Sequence, residues 1–234
     1  MLRNGLLRAS RDPKEVGIAS QLAADIIAKF YSESLPKFAR GKLIDLGCGK
    51  VPLYEVYKDF VNDITCVDWA NSMHNNPHLD LVQDLNNRLE LPDRCFDTII
   101  LSDVLEHIRK PESLLSEMNR ILSEEGKLLM NVPFYYWLHE QPFDYFRYTR
   151  HALQMMAEDN GFRILELRAS GGAIEILADI SAKVIIMLPI IGRPIAKFTQ
   201  WLAWHLLKIS AISKFSKKTS EKFPFGYFMV AEKV

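Results

Sequence analysis

The chain has little of what marks a secreted, disulfide-held or membrane-spanning protein. Its 234 residues include three cysteines, Cys48, Cys66 and Cys95, too few and too scattered for a disulfide framework or a cysteine zinc site. The opening stretch MLRNGLLRASRDPKE has no continuous apolar run, so the sequence predicts no secretory signal and a reducing, cytosolic setting. No uninterrupted apolar span reaches the roughly 20 residues that a membrane-crossing helix needs. Charge of one sign is not in excess either: 29 basic residues face 29 acidic ones. That balance removes the global electrostatic footprint of a nucleic-acid binder.

What is present is ample core material, 48% hydrophobic residues, arranged as alternating strands and helices. EVGIASQLAADIIAKFYSESL has helical spacing at Ile18, Leu22, Ile26 and Phe30. A strand over 42–46 follows, then a helix near 52–61, a strand near 63–68, a short loop, and a strand near 79–83. CFDTIILSD reads as a buried strand. KPESLLSEMNRIL reads as a helix with apolar positions at Leu114, Leu115, Met118, Ile121 and Leu122, stopped by Gly126. KLLMNVPFY is another strand, RHALQMMAEDNGF a helix closed by Gly161, and RILELRA a sixth strand. This alternation implies a mostly parallel sheet with helices on both faces.

In such a sheet, ligands sit at the carboxyl ends of the strands, where strand order reverses. KLIDLGCGKVPLYEVY, residues 42–57, supplies one such end: an apolar strand broken by Asp45 and followed by Gly47 and Gly49. A dinucleotide turn needs GxGxxG, but Gly49 is followed by Lys50, Val51 and Pro52. That turn also has no use for an acid two residues before its first glycine.

With CVDWA (66–70), LDLVQDLNNRLELPDRCFDTIILSDVLEHI (79–108) and EMNRILSEEGKLLMNVP (117–133) in register behind LIDLGCG (43–49), the chain resembles the class I S-adenosylmethionine-dependent methyltransferases. Further along, HEQPFDYFRYT (139–149) resembles an insertion seen in a type 11-like subgroup often associated with glycan and cell-surface polysaccharide pathways. The class I resemblance covers roughly residues 40–172. It implies an α/β, Rossmann-like, doubly wound seven-stranded sheet, mostly parallel, with an antiparallel last strand and a helical insertion before it. The implied division is an N-terminal helical segment over 1–40, a cofactor-binding core over 41–172, an insertion over 173–222, and a final core strand over 223–234. Val51 departs from the pattern, because many members carry a third glycine there.

The resemblance also assigns the cofactor site for S-adenosylmethionine, which leaves as S-adenosylhomocysteine. Asp45 is placed near the methionine moiety, where Gly47, Cys48 and Gly49 let the backbone approach closely. Asp68, 19 residues after Gly49, accepts the ribose hydroxyls. Asp84 and Leu85 frame the adenine, while Ser102 and Asp103 lie beside the sulfonium. Asp84 has an alternative role, capping the turn that follows it.

Histidine near neutral pH suits removal of a proton from a hydroxyl acceptor. His107, beside Glu106, and His139 are the candidate bases, and for His107 the alternative is a hydrogen-bonded pair that shapes its loop. FYYWLHEQPFDYFRYTRHAL (134–153) follows the fifth strand and combines acids, arginines and aromatics. Tyr136, Asp144, Tyr145, Arg147 and Tyr148 are its candidate acceptor contacts, through ring stacking on sugars and arginine pairing with phosphate or carboxylate. The alternative is a loop folded over its own core, with Thr149 capping the next helix. No metal-binding cluster stands out along the sequence.

Between the last two strands lie about 50 residues in place of a short connection. From Lys183 to Lys222, eight basic residues face a single acid, Glu221, so this stretch carries seven net positive charges and the remainder seven net negative ones. It reads as two helices broken near Gly192 and Pro194, with Trp201, Trp204 and a basic fringe. Such helices suit peripheral contact with an anionic membrane from the cytoplasmic side. A packed cap or a homodimer interface is the alternative. The expected acceptor is a glycan or other small molecule, with no nucleic acid among the partners; a quinone-like acceptor, or a binding scaffold without turnover, are the rival readings.

Overall fold

The computed structural model describes residues 2–3, 6–13, 16–70, 76 and 78–234. The short loop expected between residues 68 and 79 falls largely on 71–75 and 77, outside the described residues, as do residues 1, 4, 5, 14 and 15 of the N-terminal segment.

In chain order the elements are β1 (Leu2–Arg3), β2 (Leu6–Leu7), α1 (Gln21–Phe38), β3 (Lys42–Leu46), α2 (Tyr54–Tyr57), β4 (Asp63–Asp68), β5 (Leu81–Val82), β6 (Phe96–Ser102), α3 (Pro111–Ile121), β7 (Leu122–Pro133), α4 (Arg150–Asp159), β8 (Phe162–Ser170), α5 (Ala173–Ile185), α6 (Gly192–Leu206), α7 (Ser210–Thr219) and β9 (Gly226–Lys233). Seven strands form one sheet in the order β5-β4-β3-β6-β7-β9-β8. It is parallel through β5, β4, β3, β6 and β7, with the antiparallel strand at the end of the chain. The chain proceeds from β3 outward to β4 and β5, then returns to β6 on the other side of β3. The reversal of order therefore falls between β3 and β6, where Asp45 and Ser102 stand at strand ends.

The strands form where the apolar runs place them, because parallel strands covered on both faces tolerate few polar positions. Leu43, Ile44 and Leu46 of β3 and Ile99, Ile100 and Leu101 of β6 are fully buried. On α3, Leu114, Leu115, Met118 and Ile121 are buried as their spacing requires, and Pro111 starts the helix where its missing N–H costs nothing. The stop expected at Gly126 comes earlier. α3 ends at Ile121 and β7 begins at once, with Gly126 inside an irregular pairing that shifts between Phe96–Leu122 and Thr98–Lys127. The helix expected over 52–61 shrinks to the single turn of α2.

The chain divides into two compact units. One comprises Tyr31–Pro133, Leu138–Arg168 and Phe228–Val234; the other Met1–Phe30, Phe134–Trp137 and Ala169–Tyr227. The expected segment over 1–40 is thus not a unit, since the boundary falls inside α1. In the second unit, Leu22, Ala178 and Ala203 form one small cluster and Ala19, Ala182 and Ala196 another. The buried Gln200 side chain accepts from the Leu22 amide (2.9 Å) and donates to the Ala19 carbonyl (3.0 Å). The insertion contains three helices rather than two; the break expected near Gly192 and Pro194 separates α5 from α6, with Pro194 in the first turn of α6. Among the described residues, no helix is long and apolar enough to cross a membrane.

Candidate functional site

The turn after β3 is held by the neighbouring strand: the amides of Gly47 and Cys48 both donate to the Val67 carbonyl, at 2.8 and 3.0 Å. Gly47 and Gly49 have φ of +71° and +52°, and Val51, at the position of the missing third glycine, still adopts φ +50°. The loop thus keeps a backbone suited to glycine where a β-branched residue resists it. A Cβ on Gly47 would approach Val104 Cγ2 to 2.6 Å. Gly47→Ala is expected to cost about 2 kcal/mol from the left-handed backbone and the Val104 overlap, which lowers Tm by about 4–8 °C. Calorimetric melting checks this, and an unchanged Tm would show that the turn relaxes freely.

Four parallel strand ends bring the polar residues together. Asp45 is 4% exposed and accepts a hydrogen bond from the Tyr57 hydroxyl at 2.9 Å. Burial pushes its carboxyl up to about 7, the Tyr57 bond works against that rise, and the nearby Asp68 charge adds to it. Asp68, also buried, accepts the Trp69 amide on Oδ1. Asp103, at φ +55°, donates its amide to the Asn131 carbonyl and accepts from the Asn131 side chain at 2.7 Å. Its carboxyl too is pushed up to about 7, first by burial and then by the charge of Glu106. Asp84 takes its alternative role: it is exposed and accepts from Asn86 and Asn87 in the turn it caps, while Leu85 beside it is buried.

Tyr31 escaped the sequence reading because it looks like one more apolar position on a helix. It is fully buried, and its hydroxyl faces Ser102 and the charges of Asp103 and Asp45. Tyr57, which anchors Asp45, was hidden in the same way.

The loop over 138–148 folds onto the end of β6. The Glu106 carbonyl accepts the Tyr145 and Phe146 amides at 2.9 and 3.3 Å, and the Phe143 ring packs edge-on against Trp69 at 5.0 Å. His107 Nδ1 lies 2.9 Å from the Phe143 carbonyl. A carbonyl only accepts, so Nδ1 carries the proton there and Nε2 of the neutral ring presents its lone pair. His107 thus shapes the loop, through the Phe143 carbonyl rather than through the expected hydrogen-bonded pair with Glu106, which stands 3.8 Å from its Nε2. Thr149 caps α4 through the Ala152 amide.

Asp144 is the hub of this loop. Arg147 grips it with both Nη atoms, at 2.5 and 2.8 Å. The same carboxylate accepts the His139 amide at 3.0 Å and faces His139 Nδ1 at 3.3 Å. Burial alone would raise the Asp144 carboxyl, but the hydrogen bonds from Arg147 and the His139 backbone outweigh it and hold it at about 2. His139 Nε2 points the other way, 3.6 Å from Glu106 Oε1. Glu106 is fully buried and has no hydrogen-bond partner on either oxygen, and burial pushes it up to about 7.

The other acceptor-side candidates separate. Tyr145 is half-exposed and takes a hydrogen bond from Arg109. Tyr148 is buried, with its hydroxyl given to the Leu105 carbonyl, so it supports the loop from beneath. Tyr136 belongs to the other compact unit, where it lines a cavity of about 320 Å³ with Phe134, Trp137, Asp179, Lys183 and Met187. There Lys183 Nζ donates to Asp179 at 2.6 Å and lies 3.2 Å from the centre of the Tyr136 ring.

Comparison with known proteins gives a consistent picture. Residues 18–167 match a family model described as a methyltransferase domain. Over 94 residues the chain is 26% identical to the demethylmenaquinone methyltransferase of Renibacterium salmoninarum, a match that covers 38% of this chain and 40% of that protein. The chain thus matches about two-fifths of the length of this curated relative. Among solved structures it is similar to the cyclase SpnF (TM-score 0.60, 18% identity, 91% of this chain and 82% of that one). It is also similar to S-adenosylmethionine-dependent methyltransferases from Mesorhizobium loti (0.57, 14%, 91% and 100%) and Archaeoglobus fulgidus (0.55, 18%, 87% and 90%). At these identities the structural likeness establishes the fold.

Proposed function

The chain belongs to the class I S-adenosylmethionine-dependent methyltransferases, and from this we propose that it methylates a hydroxyl oxygen of a glycan or lipid-linked glycan precursor. The observation that carries the oxygen-acceptor half is His139, held between the ionised Asp144 and the end of β6. A hydroxyl must lose its proton as it is methylated, and an imidazole oriented by a carboxylate is suited to take it.

The strand-end residues fit the cofactor. Asp45 offers a carboxylate to an ammonium group, and Asp68 offers one to a ribose diol. Tyr31 adds a buried hydroxyl that faces Asp45 and Asp103. When bound, S-adenosylmethionine supplies a methyl group on a positively charged sulfur. Gly47 and Gly49 let the backbone come close. Phe143 and Trp69 keep water from the strand ends, which matters for a displacement whose charge disperses. Asp144 keeps the His139 ring in place and stabilises it once protonated, and Arg147 keeps Asp144 ionised.

A second reading, a quinone-class acceptor, is favoured by the aromatic cavity around Tyr136 and by the name of the Renibacterium relative. Incubation with cofactor and separate panels of lipid-linked glycans and quinones, read by S-adenosylhomocysteine release and product mass, distinguishes the two. Cofactor binding with no S-adenosylhomocysteine from either panel would favour a scaffold without turnover.

Both acceptor classes are met at a membrane, and peripheral contact through residues 173–222 belongs to the same proposal. The α5–α6 region exposes Leu177, Val184, Met187, Ile190, Phe198 and Trp201, with Ile190 at 96%. An apolar surface of this kind beside a lysine fringe suits an anionic bilayer. Liposome flotation is expected to rise with anionic lipid and to weaken with salt, each lysine near the surface adding about 1 kcal/mol at low ionic strength. Absence of flotation at every lipid charge and salt would leave these helices as a cap or a subunit interface.

A further inference from the structure

We propose that Glu106, His107 and His139 form a binding site for one divalent transition-metal ion, of the kind that suits two imidazoles and a carboxylate. One ligand atom from each residue lies within 4.8 Å of the other two. Glu106 Oε1 stands 3.8 Å from His107 Nε2 and 3.6 Å from His139 Nε2. Donors around a tetrahedral zinc lie about 3.4 Å apart, as zinc–nitrogen and zinc–oxygen bonds of about 2.0–2.2 Å require. An ion therefore asks the Glu106 pairs to contract by only a few tenths of an ångström, while the two histidine nitrogens, within 4.8 Å of each other, close by up to about 1.4 Å through ring rotation.

The present contacts leave the cluster incomplete without a cation. Distances of 3.6 and 3.8 Å are too long for hydrogen bonds. The Glu106 side chain is fully buried with both oxygens unpartnered, and His107 Nε2 is buried and unpartnered beside it. Buried polar groups in this state are rare and call for an explanation. A cation bound among them satisfies Glu106 and His107 together.

The surroundings are those of a metal site. Ligating histidines commonly give their other ring N–H to a carbonyl or carboxylate, which fixes the tautomer and aims the lone pair. His107 directs Nδ1 to the Phe143 carbonyl, and His139 directs Nδ1 to Asp144, which Arg147 holds in turn. Two nitrogens and one carboxylate oxygen match zinc, manganese or iron(II) better than calcium or magnesium, which prefer all-oxygen sets. Three protein ligands leave at least one position open. The use of that position rests on the methyl-transfer reading: it would take a hydroxyl oxygen of the acceptor, favouring acceptors with adjacent oxygens that chelate, and with both His139 nitrogens then engaged the ion would take over from the free imidazole by making that hydroxyl more acidic. The binding of the ion does not depend on that reading.

The test is titration of chelator-treated, full-length protein with Zn²⁺ alone, and with Co²⁺ as a visible reporter of nitrogen ligation. One ion per chain is expected. His107→Ala and His139→Ala should each weaken binding by at least about tenfold, Asp144→Asn by a similar factor through the loss of orientation, and the exposed His151→Ala not at all. Cofactor affinity measured on the same samples reports whether each variant is folded. If a variant loses cofactor as well, the wild-type stoichiometry and cobalt spectrum decide. No saturable wild-type binding, or full binding by folded His107→Ala and His139→Ala, overturns the site. If the ion binds but no acceptor is methylated, the functional reading falls and the site stands. If methyl transfer runs at full rate in metal-free protein that binds no ion, the reverse holds.

Discussion

Cofactor affinity is expected to fall about tenfold for each pH unit below about 7 and to level off just above it, until the cofactor's own α-ammonium begins to lose its proton near about 8. In the unliganded protein burial holds the Asp45 carboxyl at about 7, so near neutrality the group is only partly ionised. A ligand whose ammonium lies against Asp45 needs the carboxylate. Below that pKa, part of the binding free energy must expel the proton. Above it, the carboxylate is ready. Asp45→Asn should remove the acid step and bind weakly just above pH 7, where the wild type binds best. This variant also isolates Asp45 from Asp103 and Glu106, which titrate in the same range.

Stability follows the same linkage with its own sign. The folded pKa of Asp45 lies above its unfolded value of 3.8, so the folded state binds more protons between the two. Apoprotein stability should therefore decline as pH rises from about 4 to about 7. Cofactor should stabilise most at the alkaline end. Titration calorimetry and melting curves across this range check both slopes. Wild-type affinity that is flat with pH would remove Asp45 from the ammonium.

How much of this was legible in the sequence depended on distance along the chain. Asp45, Gly47 and Gly49 lie within five residues of one another, and a strand, an acid and two glycines already describe the turn they make. Buried strands announced themselves as apolar runs because both faces of the sheet are covered. Glu106 and His107 were visible as a pair. Their relation to His139, 32 residues later, arises only when the Tyr145 and Phe146 amides fold back onto the Glu106 carbonyl. Nothing local encodes that return. Tyr31 and Tyr57 were illegible for a different reason: their hydroxyls face Asp45, but their rings satisfy the same apolar spacing that any core residue would. The break between α6 and α7 has neither glycine nor proline to mark it, whereas Gly192 and Pro194 mark the one between α5 and α6.

His139→Ala is expected to lower kcat by about 10²–10⁴-fold while leaving cofactor affinity within about twofold. The two effects separate because His139 meets Glu106 and Asp144 at the end of β6, whereas Asp45 and Asp68, the carboxylates proposed for the cofactor, lie at the ends of β3 and β4. Arg147 acts through Asp144. Its planar fork makes two bonds to one carboxylate, which a lysine cannot reproduce. Arg147→Lys should therefore keep the charge but lower kcat by about tenfold or more, since a 1 Å displacement of a reacting group can cost about a hundredfold. Arg147→Ala should do worse, because Asp144, at 2% side-chain exposure, would lose the partner that keeps it ionised near pH 2. The pH profile then discriminates between orientation and bulk damage. With the fork removed, the Asp144 carboxyl rises toward the range set by its burial, and the acid limb of kcat should move to higher pH. Steady-state kinetics across pH, beside cofactor titration of the same proteins, read all of this. If cofactor affinity and kcat fall together in both His139→Ala and Arg147→Lys, the loop belongs to the cofactor site. If kcat is unchanged in folded His139→Ala, the proton is taken elsewhere.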